Sequence, residues 1–284
     1  MKLALTQMNI IWEEKEENLR AAEQLAREAK EAGAEMILFP EMSFTGFSMD
    51  VEKIGEETLR VEGGFPVTET VEKMLEWSVK YSISICFGYV GRPNRSRDGQ
   101  LGRNCLAVVG GGRILTVYEK IHPFTYGEEG KHYAGGSRLS SCMAGGLSFG
   151  FFICYDLRFP EVFQLASASC QAIAVIANWP RERAGHWEAL LRARAIENQC
   201  YMVGVNRVGK GGGSVYAPGS MAFDPYGNRV KAERIGTAEP SALLLCAVQP
   251  GLAEQYRREF PLKMDRREEL YEGLRRLGSR PFSF

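Results

Sequence analysis

Three short apolar runs in this chain each end on a residue that can take part in acyl transfer. The first run ends at Glu41, a carboxylate, the second at Lys120, an amine, and the third at Cys154, a thiol. Short apolar runs predict buried strands, and side chains at strand ends lie at the edge of a rigid sheet, where chemistry is commonly placed. The pattern therefore constrains the reaction type more strongly than the substrate.

Helical and strand-like segments alternate along the chain, which predicts an α/β fold with mixed sheets. Glycine-rich turns at residues 110–112 and 225–228 require antiparallel pairs, so an all-parallel sheet is excluded. Residues 93–99 form another predicted polar turn. The predicted helices cover residues 18–30, 68–80, 161–169 and 186–198, and the predicted strands cover 3–8, 35–39, 83–90, 147–154, 172–177 and 201–208.

Length and charge exclude several classes of protein. The 284 residues, 45% of them hydrophobic, are enough for one large domain. Because 35 Lys and Arg balance 35 Asp and Glu, no overall field attracts nucleic acid or an anionic membrane. No apolar run approaches the ~20 residues of a membrane helix, and the first residues turn polar before a signal-peptide core forms. We therefore expect a cytoplasmic protein without nucleic-acid or membrane partners.

The seven cysteines are scattered, and their odd number argues against a complete disulfide framework. Cys142 lies in a Ser/Gly-rich stretch that predicts a loop. Neither a C-x-x-C nor an H-x-x-x-H spacing occurs, so a metal hydrolase is set aside. Acyl transfer by a thiol, a carboxylate and an amine needs neither a metal nor an organic cofactor. Five cysteines lie in apolar runs and are predicted to be small core residues: Cys86, Cys105, Cys170, Cys200 and Cys246.

A nucleophilic thiol needs a partner, because a free cysteine with a pKa of ~8.5 is mostly protonated at neutral pH. We assign Glu41 as general base for Cys154 and later for a hydrolytic water, and Lys120 as the group that balances charge and stabilises an oxyanion. The backbone N–H of Tyr155 is the second oxyanion donor. The predicted reaction is attack of Cys154 on an amide carbonyl, release of ammonia and hydrolysis of a thioester.

The segment Phe152 to Glu161, with the sequence FICYDLRFPE, resembles the nucleophile segment of the carbon–nitrogen hydrolases of the nitrilase superfamily. The runs at residues 177–180, 193–199, 204–209 and 224–227 extend the likeness, in particular to the ω-amidase branch. The resemblance implies a four-layer α-β-β-α sandwich with two mixed sheets. It also implies a hydrolase domain over residues 1–250 and a C-terminal extension, residues 251–284, that packs across a homodimer.

The resemblance implies a second glutamate in the loop after Lys120 that positions substrate, and we favour Glu128 over Glu129. Arg158 follows Cys154 by four residues, and Arg181 and Arg183 follow the next strand end, so two loops at the predicted pocket are cationic. Arginine pairs well with a carboxylate, although Arg158 has a structural alternative as a partner of Asp156 or Glu161. The predicted substrate-binding residues are Glu128, Tyr155, Arg158, Asn178 and Trp179.

These observations predict an amidase that acts on a small amide bearing a carboxylate, namely the ω-amide of 2-oxoglutaramate or 2-oxosuccinamate. Other activities of the superfamily remain open: a nitrilase, a carbamoylase, an aliphatic amidase or an amidase of deaminated glutathione. A Cys-His arrangement would need Cys154 with His122, His132 or His186. A non-catalytic scaffold is the alternative from another class, but it would not need all three reactive positions to be filled.

Overall fold

The structure is a computed structural model that describes residues 1–93, 99, 101–236 and 240–278. Of the polar turn predicted at 93–99, residues 94–98 lie outside the described residues. Within the described ranges, no helix is long and apolar enough to cross a membrane.

The strands and helices alternate as the sequence predicts. In chain order the strands are β1 (Lys2–Gln7), β2 (Met36–Leu38), β3 (Arg60–Glu62), β4 (Phe65–Val67), β5 (Ser84–Gly91), β6 (Arg103–Gly110), β7 (Arg113–Glu119), β8 (Ser141–Ala144), β9 (Leu147–Ile153), β10 (Ala172–Ala177), β11 (Tyr201–Asn206), β12 (Gly209–Gly211), β13 (Ser214–Tyr216), β14 (Met221–Phe223), β15 (Ala232–Ile235) and β16 (Ala242–Ala247). The α-helices are α1 (Lys15–Glu31), α2 (Val51–Ile54), α3 (Glu69–Lys80), α4 (Pro160–Ala166), α5 (Ala184–Asn198), α6 (Leu252–Glu259) and α7 (Glu268–Gly278).

Two mixed sheets form the centre of the molecule. The first has seven strands in the order β15-β16-β1-β2-β5-β6-β7, and the second has five in the order β14-β11-β10-β9-β8. In the first sheet β1, β2 and β5 run parallel, whereas β6, β7 and the β15–β16 pair are antiparallel to their neighbours. In the second, β9, β10 and β11 are parallel and both edge strands are antiparallel. The glycine turn at 110–112 joins an antiparallel hairpin, β6 to β7, as predicted.

Successive side chains of a strand point to opposite faces of the sheet, so one face packs on helices and the other faces the second sheet. Leu3 and Leu5 of β1 belong to one apolar cluster with Phe149 and Phe151 of the second sheet. Ala4, between the two leucines, belongs instead to a cluster with the apolar sides of α1 and α3. Helix α5 packs on the other side of the second sheet, against β11. The layers are therefore helix, sheet, sheet and helix, which confirms the predicted sandwich.

Local chemistry explains where the elements begin. Thr68, predicted as the first residue of a helix, is instead the residue that caps α3, because its hydroxyl accepts a hydrogen bond from the Val71 N–H at 3.4 Å. Helix α4 begins with Pro160, a residue that suits a first helical turn because its missing N–H is not needed there. The five cysteines predicted to be core residues are buried. The loop predicted around Cys142 is wrong, because this cysteine lies in strand β8.

The two sheets contribute different groups to one edge of the sandwich. Glu41 follows β2 and Lys120 follows β7, both strands of the first sheet. Cys154 follows β9 and Asn178 follows β10, both strands of the second sheet. The docking of the sheets therefore brings the reactive groups together.

The segment that follows β16 packs against its own chain. Arg257 of α6 donates to the carbonyl of Cys170 at 2.8 Å, and Lys263 donates to the carbonyl of Ser167 at 2.6 Å. These contacts tie the first part of the C-terminal segment to the end of α4. Whether residues 251–284 also reach across a dimer stays a prediction.

Candidate active site

Glu41, Lys120 and Cys154 meet at the edge of the sandwich. The Lys120 Nζ donates to Glu41 Oε1 at 2.8 Å, and both side chains are almost completely buried, with 1% and 0% of their surface exposed. The Cys154 thiol is partly exposed, lines the same cavity as Glu41 and lies within electrostatic reach of Glu41 and Lys120. A thiol, a carboxylate and an ammonium group therefore lie together, as the three strand ends predict. Their catalytic roles stay a prediction.

The backbone at Cys154 is in the left-handed region, with φ 47°, a conformation that costs energy for a residue other than glycine. A buried carboxylate, Asp156, compensates for this cost. Its Oδ2 accepts from the Ile153 N–H at 3.0 Å and from the Tyr118 hydroxyl at 2.8 Å, and its Oδ1 contacts His122 Nδ1 at 2.8 Å. Asp156 thus holds both the turn at the nucleophile and the loop that follows Lys120.

A second glutamate contacts Lys120, but it is Glu129 and not Glu128. Glu129 is fully buried, and its Oε2 accepts from Lys120 Nζ at 2.8 Å. Glu128 is exposed and pairs with Lys131 on the surface. The reason is local: Glu128 adopts a left-handed conformation, φ 62°, between two short 3₁₀ turns, which directs the next residue inward. The preference for Glu128 was therefore wrong.

Two asparagines hold the carboxylates in place. Asn104 Nδ2 donates to Glu41 Oε1 and to Glu129 Oε1, both at 2.8 Å. The Asn178 N–H donates to Glu41 Oε2 at 2.9 Å, and its Nδ2 donates to the Glu41 carbonyl at 2.6 Å. Asn178 was predicted to bind substrate; it lines the cavity, and its hydrogen bonds hold Glu41. Asn104 was not predicted, although it is a polar residue in the apolar strand β6, which is a usable signal.

Burial and neighbouring charges set the protonation of these groups. Burial raises the pKa of the Cys154 thiol well above its ordinary value, and the charge of Glu41 raises it further, while Lys120 opposes them. Burial alone would lower the pKa of Lys120, but the charges of Glu129 and Glu41 outweigh it and raise the pKa well above its ordinary value. The site therefore holds a protonated thiol beside a carboxylate and a cationic lysine.

A cavity of about 400 Å³ opens above Cys154 and Glu41. Aromatic and aliphatic side chains form most of its wall, as in many small-molecule sites. The residues that line it besides Cys154 and Glu41 are Trp12, Phe47, Met49, Phe124, Gly127, Tyr155, Arg158, Asn178, Trp179, Pro180, Arg183, Gly212, Ser214 and Tyr216.

Two arginines supply the positive charge in this wall. The guanidinium of Arg158 lies 4.8 Å from the Trp179 ring centroid and 6.0 Å from that of Tyr155. The guanidinium of Arg183 lies 5.9 Å from the Phe124 ring centroid. Among the described residues Arg158 forms no ion pair, so the structural pairing considered for it with Asp156 or Glu161 is not present. Arg181, the third candidate cation, is exposed and outside the cavity.

Trp179 forms a fixed part of the cavity wall. Its backbone N–H donates to Asn206 Oδ1 at 2.7 Å, and Asn206 Nδ2 donates back to the Trp179 carbonyl at 2.9 Å. The indole N–H donates to the carbonyl of Arg183 at 2.8 Å. These bonds orient the ring so that Arg158 can stack on it. Asn206 was part of a recognised sequence run, but this function was not predicted.

The geometry does not favour the Cys-His alternative. His122 is the histidine nearest in sequence to the reactive groups, and its ring is engaged by Asp156 and stacks on Phe159 with centroids 3.9 Å apart. His186 is exposed in the first turn of α5. In the part of the chain that the structure describes, no group of three or more His, Cys, Asp or Glu side chains is arranged to hold a metal ion.

Comparison with known proteins agrees with this geometry. The sequence profile of the carbon-nitrogen hydrolases matches residues 2–258. The chain belongs to the carbon–nitrogen hydrolase family. It is therefore a hydrolase that acts on carbon–nitrogen bonds, and the relatives identify it as an amidase of the nitrilase superfamily.

Individual relatives cover nearly the whole chain. The chain is 34% identical to an enzyme of Yersinia enterocolitica named omega-amidase YafV, over 92% of this chain and 94% of that protein. It is 28% identical to the 2-oxoglutaramate amidase of Bacillus subtilis, over 95% and 98%. The structure of Saccharomyces cerevisiae Nit3, a member of branch 10 of the nitrilase superfamily, has the same fold, with a TM-score of 0.79, 23% identity and coverage of 94% and 96%.

Proposed function

We propose that this hydrolase removes the ω-amide of a small dicarboxylic keto acid, 2-oxoglutaramate or 2-oxosuccinamate, through a cysteine thioester. The observation that carries the proposal is the position of Cys154. Its thiol lies with Glu41 in the lining of a cavity whose wall also carries the guanidinium groups of Arg158 and Arg183. A carboxylate-bearing amide matches both features.

The protonation of the site defines the first step. Because the Cys154 thiol is protonated at rest, Glu41 removes its proton as the sulfur attacks the carbonyl carbon. The oxygen then carries negative charge, which the Tyr155 N–H and the Lys120 ammonium stabilise. Glu41 passes the proton to the leaving nitrogen, so ammonia departs and a thioester remains.

Hydrolysis uses the same groups again. Glu41 takes a proton from water, the hydroxide attacks the thioester carbonyl, and the thiol leaves with the proton that Glu41 returns. Glu129 and Asn104 keep Lys120 and Glu41 in position during both steps, because each forms hydrogen bonds to them of 2.8 Å. Glu41 lines the cavity and Glu129 does not, so Glu129 is a positioning residue and Glu41 is the base.

Charge and size support the choice of substrate. A cavity of about 400 Å³ accommodates a five-carbon acid amide. Arg158 and Arg183 suit the carboxylate, since guanidinium groups form paired hydrogen bonds with it. The names of the Yersinia enterocolitica and Bacillus subtilis relatives agree with an ω-amide of this kind.

The test is ammonia release from 2-oxoglutaramate, 2-oxosuccinamate, succinamate and an uncharged aliphatic amide. The wild type is measured beside Cys154→Ala and beside Cys142→Ala, in which another half-buried cysteine that does not line the cavity is removed. We expect hydrolysis of the acids only, loss of activity in Cys154→Ala and full activity in Cys142→Ala. Mass spectrometry of the quenched wild type checks for an acyl group on Cys154.

Three results would contradict the proposal. Equal rates on the uncharged amide would remove the argument from Arg158 and Arg183. Hydrolysis of none of the four would redirect the assignment to deaminated glutathione, a carbamoyl substrate or a non-catalytic scaffold. Activity in Cys154→Ala would remove the thioester.

A further inference from the structure

We propose that Arg207 makes the cavity selective for anions although it never touches the substrate. Arg207 lies behind the cavity wall and carries a positive charge that no carboxylate of the described residues neutralises. This inference rests on the proposed function, because it concerns the same cavity, but its test follows alkylation of Cys154 and not amide hydrolysis.

The Arg207 side chain is fully buried, and its hydrogen bonds within the described residues all go to backbone carbonyls. Its Nη2 donates to the carbonyls of Ile10 and, at 3.0 Å, of Lys210. Its Nε donates to the carbonyl of Val208 at 3.3 Å. The Nη1 nitrogen is buried and has no hydrogen-bond partner.

This arrangement is costly for a residue with only a structural function. A buried charge normally has a counter-charge, because transfer out of water is unfavourable. Burial lowers the pKa of Arg207 to about 10, so the group remains protonated at neutral pH. The hydrogen bonds connect the segment before Trp12 with the turn after β11, but a neutral donor could make them. The charge itself therefore calls for a separate explanation.

The position of Arg207 supplies that explanation. Its guanidinium carbon lies 4.5 Å from the ring centroid of Tyr216, and this ring lines the cavity. Burial raises the pKa of Tyr216, the charge of Arg207 opposes this and the charge of Glu41 adds to it, so the ring lies within electrostatic reach of both the buried cation and the reactive groups. One aromatic ring thus separates the buried cation from the space where substrate would bind.

Two glycines make room for this cation. A Cβ on Gly46 would lie 3.2 Å from Arg207 Nη1, and a Cβ on Gly211 would lie 2.9 Å from it. Gly46 belongs to the loop after Glu41, and Gly211 belongs to β12, part of a glycine-rich hairpin that the reaction does not otherwise use. The hairpin glycines therefore permit the approach of a charged group to the cavity wall.

A charge in this position acts through the protein interior. Water does not surround it, so its field is screened less by salt than the field of an exposed arginine. Arg158 and Arg183 line the cavity and are partly exposed, so their effect falls with ionic strength. Arg207 should supply the part of the anion preference that persists at high salt.

The test compares two alkylating reagents that differ in charge, iodoacetate and iodoacetamide. In each, the Cys154 sulfur displaces iodide from the CH₂ group, the S–C bond forms and the thiol proton leaves. The ratio of the two rates reports the local potential and cancels changes in thiol reactivity. The variants are Arg207→Met and, as control, Lys210→Met, which removes an exposed cation of the same hairpin.

We expect the ratio of iodoacetate to iodoacetamide rates to fall by on the order of tenfold in Arg207→Met, as for loss of a unit charge one ring away. The fall should persist in 1 M salt, and Lys210→Met should leave the ratio unchanged. Equal loss of both rates would indicate a structural function and overturn the proposal. So would an unchanged ratio.

A second variant leaves Arg207 in place and decides the matter if Arg207→Met does not fold. In the double variant Arg158→Met/Arg183→Met, the ratio of iodoacetate to iodoacetamide rates should still exceed the ratio measured for a free cysteine peptide. This excess should remain in 1 M salt. Complete loss of that excess would refute the proposal. Because no amide is hydrolysed in these measurements, failure of the proposed ω-amidase activity and failure of this inference are separate outcomes.

Discussion

Exchange of Glu129 for glutamine removes one negative charge from the buried cluster with almost no change of shape. Glu129 accepts four hydrogen bonds: from Lys120 Nζ on both oxygens at 3.1 and 2.8 Å, from Asn104 Nδ2 at 2.8 Å and from the Phe124 N–H at 2.5 Å. A glutamine has one acceptor oxygen, and its NH₂ group would face two of these donors in either orientation. At least two bonds are therefore lost.

The magnitude follows from this count. Hydrogen bonds to charged groups contribute about 1.5–3 kcal/mol each, and loss of one partner of a buried ion pair costs about 3–5 kcal/mol. We expect Glu129→Gln to lower the free energy of unfolding by about 3–5 kcal/mol. At roughly 2–4 °C for each kcal/mol, the melting temperature should fall by about 6–20 °C. Because Lys120 would lose its position, kcat should fall by on the order of 100-fold.

The neighbouring residue provides a matched control. Glu128→Gln makes the same chemical change at an exposed site whose partner, Lys131, is also exposed, so stability should change by less than about 0.5 kcal/mol and kcat should not change. Calorimetry and steady-state ammonia release, well below the melting temperature of each variant, measure both quantities. Equal losses in the two variants, or an active and stable Glu129→Gln, would refute the reasoning.

Three further predictions concern other parts of the molecule. Gly88→Ala should reduce both stability and kcat, because its Cβ would lie 2.4 Å from the Met42 nitrogen and 3.0 Å from the Glu41 Cα. Thermal melts and activity assays check this, and an unchanged kcat would contradict it. Burial lowers the pKa of Lys263 to about 8, whereas in the unfolded chain it is about 10.4. Between these values the unfolded state holds more protons, so the wild type should gain stability relative to Lys263→Met as pH rises from about 8 to about 10.4. Thermal melts of both proteins across that range check this, and a difference in melting temperature that stays constant or reverses would disprove it. If residues 251–284 pack across a dimer, their removal should convert the protein from dimer to monomer. Light scattering of the full-length and shortened proteins measures this, and a monomeric full-length protein would contradict it.

Much of the fold and site could be predicted because it depends on local sequence. A strand followed by a reactive residue places that residue at the sheet edge, so the sequence could predict that Glu41, Lys120 and Cys154 lie together. Their roles in the reaction stay a prediction. The choice between Glu128 and Glu129 could not be made, because it depends on one left-handed backbone conformation within a loop. Asp156 and Asn104 were not predicted as supports, since Asp156 joins the nucleophile turn to Tyr118 and His122, 38 and 34 residues away, and the partners of Asn104 lie 25 and 63 residues away. The charge on Arg207 could not be recognised as buried from sequence spacing alone.

The pairing of β1 with β16 has a consequence for the synthesis of this protein. Lys2 of the first strand lies opposite Ala247 of the last, so the sheet that holds Glu41 and Lys120 remains incomplete until the final strand leaves the ribosome. Cys154 is made almost a hundred residues before that strand. Until then the sheet that places Glu41 and Lys120 beside the thiol lacks a strand next to β1, and it is completed only when its first and last strands pair.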